Sequence, residues 1–186
     1  MSNYDQYYLS ENLFGKPYPE LVSFFESCER GTVLDLGCGQ GRDVLFLAEL
    51  GFTVTGVDSS KVGISQMLSV SKKRGLKVKG QIADMYEWSD FATYDYVLLN
   101  SMFHFEKNDK ENEVALINKI FENLKEGGVI VFCIQDTGKK VPILEKVIVQ
   151  NSNLVTISKI PFIYSFKDEE SGHSSKTNYQ LISVQK

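Results

Sequence analysis

The fold is decided by one ten-residue stretch, Val33-Leu34-Asp35-Leu36-Gly37-Cys38-Gly39-Gln40-Gly41-Arg42. A short apolar run ends here in three glycines at alternate positions, and a segment with helical spacing of apolar residues follows. Glycine permits the tight turn and lets a ligand approach the backbone closely. The helix that follows offers unpaired N–H groups at its start. The stretch therefore predicts a strand, a glycine-rich ligand-binding loop and a helix, in that order.

Outward from this stretch, the sequence alternates strand-like and helix-like segments from Thr32 to about Gln135. Short β-branched runs alternating with segments of helical period are typical of βαβ units and a parallel sheet. We expect another helix before the first strand, with Pro19 near its first position. The predicted strands are Val33–Leu36, Phe52–Val57, Lys77–Ile82, Tyr94–Leu99 and Val129–Ile134, and the glycines that mark predicted helix ends are Gly31, Gly51, Gly75 and Gly127.

The C-terminal part departs from this alternation. One more helix is expected after Gln135, followed by two strands at about Val155–Phe166 and Asn178–Gln185 with a polar hairpin loop at 167–176, so the last strand should be antiparallel. A length of 186 residues fits one domain. We assign 1–186 to it, with an N-terminal lid or helix segment (1–30), a cofactor-binding βα core (31–136) and a C-terminal helix and hairpin (137–186).

Composition narrows the class of partner and the compartment. The net charge of −4 and the pI of about 5.3 lack the basic footprint of a nucleic-acid-binding protein, so a polynucleotide partner is disfavoured. Three cysteines without metal-ligand spacing argue for a reducing compartment, with the cytoplasm as the default. No signal peptide and no apolar run of about 20 residues is apparent, so we expect neither export nor a membrane partner.

An acidic residue at the end of the second predicted strand defines the type of ligand. Asp58 lies 19 residues after Gly39, a spacing that suits an acceptor for the hydroxyls of a ribose. A dinucleotide site needs Gly-x-Gly-x-x-Gly, whereas Arg42 stands where the last of these glycines belongs. Asp35 would repel a pyrophosphate but would attract an amino or sulfonium cation. A cationic nucleoside therefore fits better than NAD or NADP, and an oxidoreductase is the weaker alternative.

Several motifs resemble the class I S-adenosylmethionine-dependent methyltransferases. The resemblance covers most of the chain and lies in Asp35–Gly41 (first motif), Gly56–Ser60 (ribose motif), Ala83–Met85 (adenine turn), Tyr94–Asn100 (fourth strand) and Leu124–Phe132 (glycine pair and fifth strand). It implies a Rossmann-like, doubly wound α/β fold with a seven-stranded sheet, mostly parallel with an antiparallel last strand. It also implies S-adenosylmethionine as the cofactor and no metal ion.

The resemblance assigns roles residue by residue. Asp35 and the backbone of Gly37, Cys38 and Gly39 would face the methionine part, Asp58 with Ser59 would form the ribose motif, Asp84 and Met85 would hold the adenine, and Asn100 would lie below the methionine moiety. Asp84 has an alternative interpretation as a solvated turn residue, since aspartate serves turns well. Cys38 is expected to fill space in the loop rather than to act as a nucleophile.

The sequence indicates the methyl acceptor less specifically than it indicates the cofactor. The run from Gly39 to Ala48 resembles small tellurite-resistance and thiopurine-type methyltransferases, although Asp43 stands where the tellurite-resistance group has asparagine. The sequence at 100–103 is not the Asn/Asp-Pro-Pro-aromatic motif of enzymes that methylate exocyclic or amide nitrogens. We expect the acceptor to be a small molecule, a metalloid or a soft sulfur or selenium nucleophile. His104 is the candidate general base, with a packed loop histidine as the alternative.

Two further alternatives remain open at this point. The first is a chain that binds the cofactor without catalysis, as a regulatory or assembly module, because a fold alone does not define an activity. The second concerns the N-terminal tyrosines, for which a lid over a sulfonium, held by cation–π contacts, and simple packing against the domain are both open; they are Tyr4, Tyr7, Tyr8 and Tyr18.

Overall fold

Five helices and seven strands alternate along the described chain. The computed structural model describes residues 5, 6, 8, 15–167 and 174–186. The elements, in order, are α1 (Pro19–Ser27), β1 (Thr32–Leu36), α2 (Arg42–Glu49), β2 (Thr53–Asp58), α3 (Lys61–Arg74), β3 (Val78–Ile82), β4 (Tyr96–Asn100), α4 (Lys110–Asn123), β5 (Val129–Gln135), α5 (Lys140–Val149), β6 (Val155–Lys167) and β7 (Ser174–Gln185).

The strands form one seven-stranded sheet in the order β3-β2-β1-β4-β5-β7-β6. The first five strands are parallel, and β7 runs antiparallel to both β5 and β6. The strand order reverses between β1 and β4, which pair from Val33 with Tyr96 to Asp35 with Leu98. Ligands of open α/β sheets bind at this switch point, beyond the carboxyl ends of the strands. The expected fold and its antiparallel last strand are confirmed.

Helices cover both faces of the sheet. On one face, α4 and α5 bury the apolar positions predicted from their spacing, among them Ile117, Ile120 and Leu144. On the other face, Val44 and Leu47 of α2 and the residues of α1 and α3 form a second buried cluster with the C-terminal hairpin. Burying the apolar stripe of a helix stabilises the folded state by about 25 cal/mol per Å² of apolar surface removed from water. Helices of this length are marginal alone, so their stability comes from packing against the sheet.

The helix ends agree only in part with the glycine signals. Gly75 caps α3 in the left-handed region, and Gly51 follows α2 with a φ of 97°. The predictions for Gly31 and Gly127 are wrong, because α1 ends at Ser27 and α4 ends at Asn123, several residues earlier. Gly127 instead forms a turn before β5 with a φ of 76°. Gly31 is small for another reason: a Cβ there would lie 2.4 Å from the Asp95 carboxylate.

The polar loop of the C-terminal hairpin is shorter than predicted. The two strands extend to Lys167 and from Ser174, so they include four of the ten residues predicted as a loop, and the residues between the strands lie outside the described part. The hairpin continues past Gln135, which pairs with Tyr179 at the carboxyl end of β5. It therefore carries residues toward the edge where the site lies. No helix in the described ranges has the length and apolar character needed to cross a membrane.

Candidate cofactor site and acceptor cavity

The glycine loop is fastened to the end of β2. The N–H groups of Gly37 and Cys38 both donate to the carbonyl oxygen of Val57, at 2.8 and 3.0 Å. Gly37 and Gly39 have φ angles of 73° and 53°, which side-chain-bearing residues rarely adopt. Since these amides are already bonded within the protein, the loop does not present them as a cradle for a phosphate. This geometry agrees with the expectation that the ligand is not a dinucleotide.

Asp58 completes the attachment. Its Oδ2 accepts a hydrogen bond from the Gly39 N–H at 2.8 Å, and its Oδ1 accepts one from the Ser60 N–H at 2.7 Å. Ser60 in turn caps α3, because its hydroxyl accepts from the Gly63 N–H at 3.1 Å. An ionised carboxylate has about four acceptor positions, so capacity for a ribose hydroxyl remains.

Three buried carboxyl groups surround the loop. Asp35, Asp43 and Asp58 have exposed fractions of 2%, 5% and 9%. Burial raises the pKa of Asp35 well above its ordinary value, and the neighbouring Asp43 and Asp58 charges raise it further against the opposing effect of Arg42. The cluster therefore favours a positively charged ligand, whose arrival would stabilise the ionised form of Asp35.

Asp43 connects the loop to the end of β4. It forms a two-point ion pair with Arg42, with distances of 3.0 and 2.8 Å, and its Oδ2 also accepts from the Asn100 Nδ2 at 2.8 Å. Ser101 donates to the Asn100 Oδ1 at 2.8 Å and has a φ of 60°. Both polar atoms of the Asn100 amide are thus held by the protein. The sequence marked Asp43 only as a departure from asparagine, and its pairing with the adjacent Arg42 was not predicted.

The N-terminal tyrosines divide into two groups. Tyr8 is buried beside the loop, since a Cβ placed on Gly39 would lie 2.7 Å from its hydroxyl, and its carbonyl accepts from the Gln66 side chain at 2.8 Å. Tyr18 instead donates to or accepts from the Ser101 hydroxyl at 2.9 Å, and the Arg42 guanidinium lies 4.7 Å from its ring centroid. Tyr18 therefore packs within the domain. Tyr4 and Tyr7 lie outside the described residues.

The residues expected to hold the adenine follow β3. The Ala83 N–H donates to the Asp58 carbonyl at 3.1 Å, which brings this turn next to the ribose motif. Asp84 is exposed, and its Oδ1 accepts from the Tyr86 N–H at 2.9 Å, whereas Met85 packs partly against the core. Asp84 therefore stabilises the turn through one carboxylate oxygen, Oδ1. Ser59 is also exposed.

His104 lies apart from the glycine loop, in the segment that follows β4. Its side chain is exposed and lines a cavity of about 340 Å³ with residues from the turn before α5. The segment is held by Glu113, a residue that the sequence analysis missed. This carboxylate, with an exposed fraction of 2%, accepts from the N–H groups of His104 and Phe105 at 2.9 and 2.6 Å.

The cysteines are free thiols, two of them buried. Burial raises the pKa of the Cys38 thiol well above its ordinary value, and the nearby Asp35 charge adds to this. The neutral thiol is a poor nucleophile, which agrees with a space-filling role. All three cysteines are unpaired. Within residues 5, 6, 8, 15–167 and 174–186, no group of three or more His, Cys, Asp or Glu side chains is arranged to hold a metal ion.

Comparison with known proteins decides the family. Residues 29–180 match the family model described as "Methyltransferase domain". The chain belongs to this methyltransferase family. The matched range contains the glycine loop, Asp58, Asn100 and His104, so the expected resemblance to the S-adenosylmethionine-dependent methyltransferases is confirmed over most of the molecule.

Individual relatives agree with this assignment. The methyltransferase chain is 34% identical over 102 residues to a carboxy-S-adenosyl-L-methionine synthase of Campylobacter curvus, covering 54% of this chain and 42% of the relative. It is 34% identical over 96 residues to a 2-heptyl-1-hydroxyquinolin-4(1H)-one methyltransferase of Mycobacteroides abscessus, with coverages of 48% and 41%. The chain thus spans about two fifths of the length of these curated relatives.

A solved structure shows the same fold. The crystal structure of TehB from Haemophilus influenzae superposes with a TM-score of 0.74 and 19% sequence identity, and the match covers 98% of this chain and 65% of that one. At this identity the likeness shows the architecture of the methyltransferase and does not identify its methyl acceptor.

Proposed function

We propose that this chain transfers the methyl group of S-adenosylmethionine to a small molecule, with a soft sulfur or selenium nucleophile or a metalloid as the acceptor atom. The observation that carries the proposal is the set of three buried carboxyl groups around a glycine loop whose amides are already bonded. This arrangement suits a cationic nucleoside, and the family supplies the identity of that nucleoside. A dinucleotide, with its pyrophosphate, would meet like charge here.

Different residues would bind the methionine, ribose and adenine parts of the cofactor. Asp35 and the loop backbone at Gly37, Cys38 and Gly39 would face the methionine part, where the carboxylate attracts the ammonium group. Asp58 would accept from the ribose hydroxyls with the capacity left beside its two backbone contacts. The adenine would lie between Ser59 and the turn at Asp84 and Met85. Asn100, whose amide is fixed by two hydrogen bonds, would support the methionine moiety from below.

The acceptor approaches from the side of His104. When bound, S-adenosylmethionine supplies a methyl carbon that an acceptor lone pair displaces from a sulfonium, leaving S-adenosylhomocysteine. The chain contributes alignment and exclusion of water, and His104 would accept the proton that a thiol or selenol acceptor loses. Glu113 holds the His104 backbone, so the imidazole is carried on a fixed segment.

Calorimetry tests the proposal directly. S-adenosylmethionine and S-adenosylhomocysteine should bind at one site per chain, whereas NAD should not bind. A panel of thiols, selenols, selenite and tellurite should then yield S-adenosylhomocysteine with at least one acceptor. Binding of NAD alone would overturn the proposal. Binding of S-adenosylmethionine without transfer to any member of the panel would favour the noncatalytic module.

A further inference from the structure

The acceptor cavity lies between the loop after β4 and the turn before α5. It measures about 340 Å³, at the small end of the range of roughly 300–1,000 Å³ for ligand pockets. Its walls are formed by His104, Phe105, Glu106, Thr137, Gly138, Lys139, Lys140 and Ile143. These residues follow the carboxyl ends of β4 and β5, the same edge of the sheet as the glycine loop, but none of them belongs to the proposed cofactor site.

Basic residues outnumber acidic ones in the lining of this cavity. Lys139 and Lys140 both line it, and His104 adds a group that can carry a proton, while Glu106 is the acidic residue among the lining side chains. This local excess of basic residues contrasts with the net charge of −4 of the whole chain. The first turn of α5, which starts at Lys140, contains no acidic residue that would neutralise it.

Lys140 is held in position rather than extended into solvent. Its Nζ donates to the Gln135 Oε1 at 2.8 Å, and the Gln135 Nε2 donates to the Tyr179 hydroxyl at 3.2 Å. Tyr179 is buried on β7. An ammonium group has three donors, so donors remain beside this contact. The nearby Asp136 carboxylate accepts from Gln180 at 2.9 Å and is not part of the lining.

We propose that this cavity recognises an oxyanion, such as a carboxylate or phosphate group, on a small methyl acceptor, with Lys139 and Lys140 as its binding residues. The inference rests on the proposed function for the identity of the reaction and adds the substrate class. The oxyanion is a recognition group: the lysines hold it, and the nucleophilic atom lies elsewhere on the acceptor. Charge-assisted hydrogen bonds of this kind contribute about twice as much as neutral ones.

The test compares an acid with its uncharged amide. 3-Mercaptopropionate and 3-mercaptopropionamide have the same thiol and nearly the same size, but only the first carries an oxyanion. Each is titrated into the chain saturated with S-adenosylhomocysteine, and again without it, while the proton NMR signal of His104 is followed. The chain has two histidines, so a His104→Gln variant identifies the signal. Inorganic phosphate, titrated in the same way, distinguishes a carboxylate from a phosphate preference.

The variants isolate the two lysines. In the wild type, the acid should bind about tenfold more tightly than the amide, a difference expected for a charge-assisted contact. The double variant Lys139→Gln/Lys140→Gln should lose this preference while S-adenosylhomocysteine affinity stays the same. Lys146→Gln is the control for each single variant, Lys139→Gln and Lys140→Gln, because it removes one positive charge from an exposed position at the other end of α5. The preference should also weaken as salt is raised.

The outcomes separate this inference from the function on which it rests. Equal affinity for acid and amide, no acid binding up to about 10 mM, or an unchanged preference in the double variant would overturn the oxyanion site, even if methyl transfer is observed. Selective acid binding by a chain that does not bind S-adenosylhomocysteine would retain the oxyanion site and overturn the proposed function.

Discussion

Asp58 and Gly39 are joined by a hydrogen bond of 2.8 Å, from the loop N–H to the carboxylate, which ties the glycine loop to the end of the second strand. The other carboxylate oxygen accepts from Ser60 at the start of α3. One side chain therefore sets the distance between the loop and the helix that border the proposed ribose position.

Replacing Asp58 by asparagine should weaken both the loop and the site. An amide can accept at only one of its two positions, so either the Gly39 or the Ser60 N–H would face an NH₂ group. Leaving such a group unsatisfied costs about 1–3 kcal/mol, measurable by urea denaturation. The Kd for S-adenosylhomocysteine should rise at least about tenfold, the equivalent of 1.4 kcal/mol. Glu49→Gln, at a surface ion pair, is the control; an unchanged Kd for Asp58→Asn would contradict the assignment.

Asp35→Asn should stabilise the fold and impair cofactor binding. Burial, Asp43 and Asp58 raise the pKa of Asp35, so the folded state holds this proton more tightly than the unfolded state. The resulting stability is present below the unfolded value, about 3.9, and is lost as the pH rises through the folded pKa. The neutral amide removes this loss, so the variant should have the higher Tm at pH 7 and a flatter pH dependence.

The same carboxyl group links pH to cofactor affinity in the wild type. S-adenosylmethionine should bind more tightly as the pH rises and Asp35 gives up its proton, up to about pH 7.5, where the α-amino group of the ligand begins to lose its charge. Calorimetry across pH checks this trend. Asp35→Asn should bind weakly at every pH; a variant with the wild-type pH profile would show that another group is responsible.

Asp95→Asn should destabilise the amino end of the sheet in a pH-dependent way. Burial alone would raise the Asp95 pKa, but hydrogen bonds from Lys125 and Thr32 lower it to about 2. This stabilisation is present above the ordinary value of about 3.9 and is lost as the pH falls through the folded pKa. With 40% of the side chain exposed, screening limits the effect to about 1 kcal/mol or less.

Urea denaturation at two pH values measures this effect. The wild type should exceed Asp95→Asn in unfolding free energy at pH 7, and the difference should shrink at pH 3. Lys125→Gln should reproduce part of the loss. A difference between wild type and Asp95→Asn that stays constant with pH would mean that the charge of Asp95 does not contribute.

Gly63→Ala should disturb the loop from the opposite side. A Cβ on Gly63 would lie 2.6 Å from the Gly39 carbonyl oxygen, a backbone atom that cannot rotate away. The loop would have to shift, so cofactor affinity should fall at least about tenfold and Tm should decrease, since overpacking costs about 1–3 kcal/mol. Ser65→Ala, on the exposed side of the same helix, should behave as the wild type. Wild-type affinity in Gly63→Ala would show that the loop adapts.

His104→Ala tests the proposed base. Loss of a general base lowers turnover by about 10² or more, whereas the Kd for S-adenosylhomocysteine should be nearly unchanged because His104 does not line the glycine loop. The fold should also remain, since Glu113 contacts the backbone of His104 and not its imidazole. Turnover equal to that of the wild type would exclude the base role.

Local signals predicted the strands and most helices well, but their ends less well. Gly51 and Gly75 follow helices as expected, whereas Gly31 and Gly127 do not, because a glycine also appears where a neighbouring side chain needs room or a turn needs a positive φ. Helix α4 begins after Asp109 without a side-chain cap, and the carboxylate that matters there is Glu113, which binds the preceding loop.

The sequence by itself determined the alternation of strands and helices, the glycine loop and the acidic residues at the ends of β1 and β2, because spacing and turn chemistry are local properties. Only the tertiary structure decided which of these groups meet: Asp43 with Asn100, Tyr18 with Ser101, and Lys140 with Gln135. Contacts between such distant positions depend on strand order and side-chain packing, which no local pattern records. The residues of the proposed cofactor site could therefore be named from the sequence, whereas the grouping of His104 with Lys139 and Lys140 around one cavity could not.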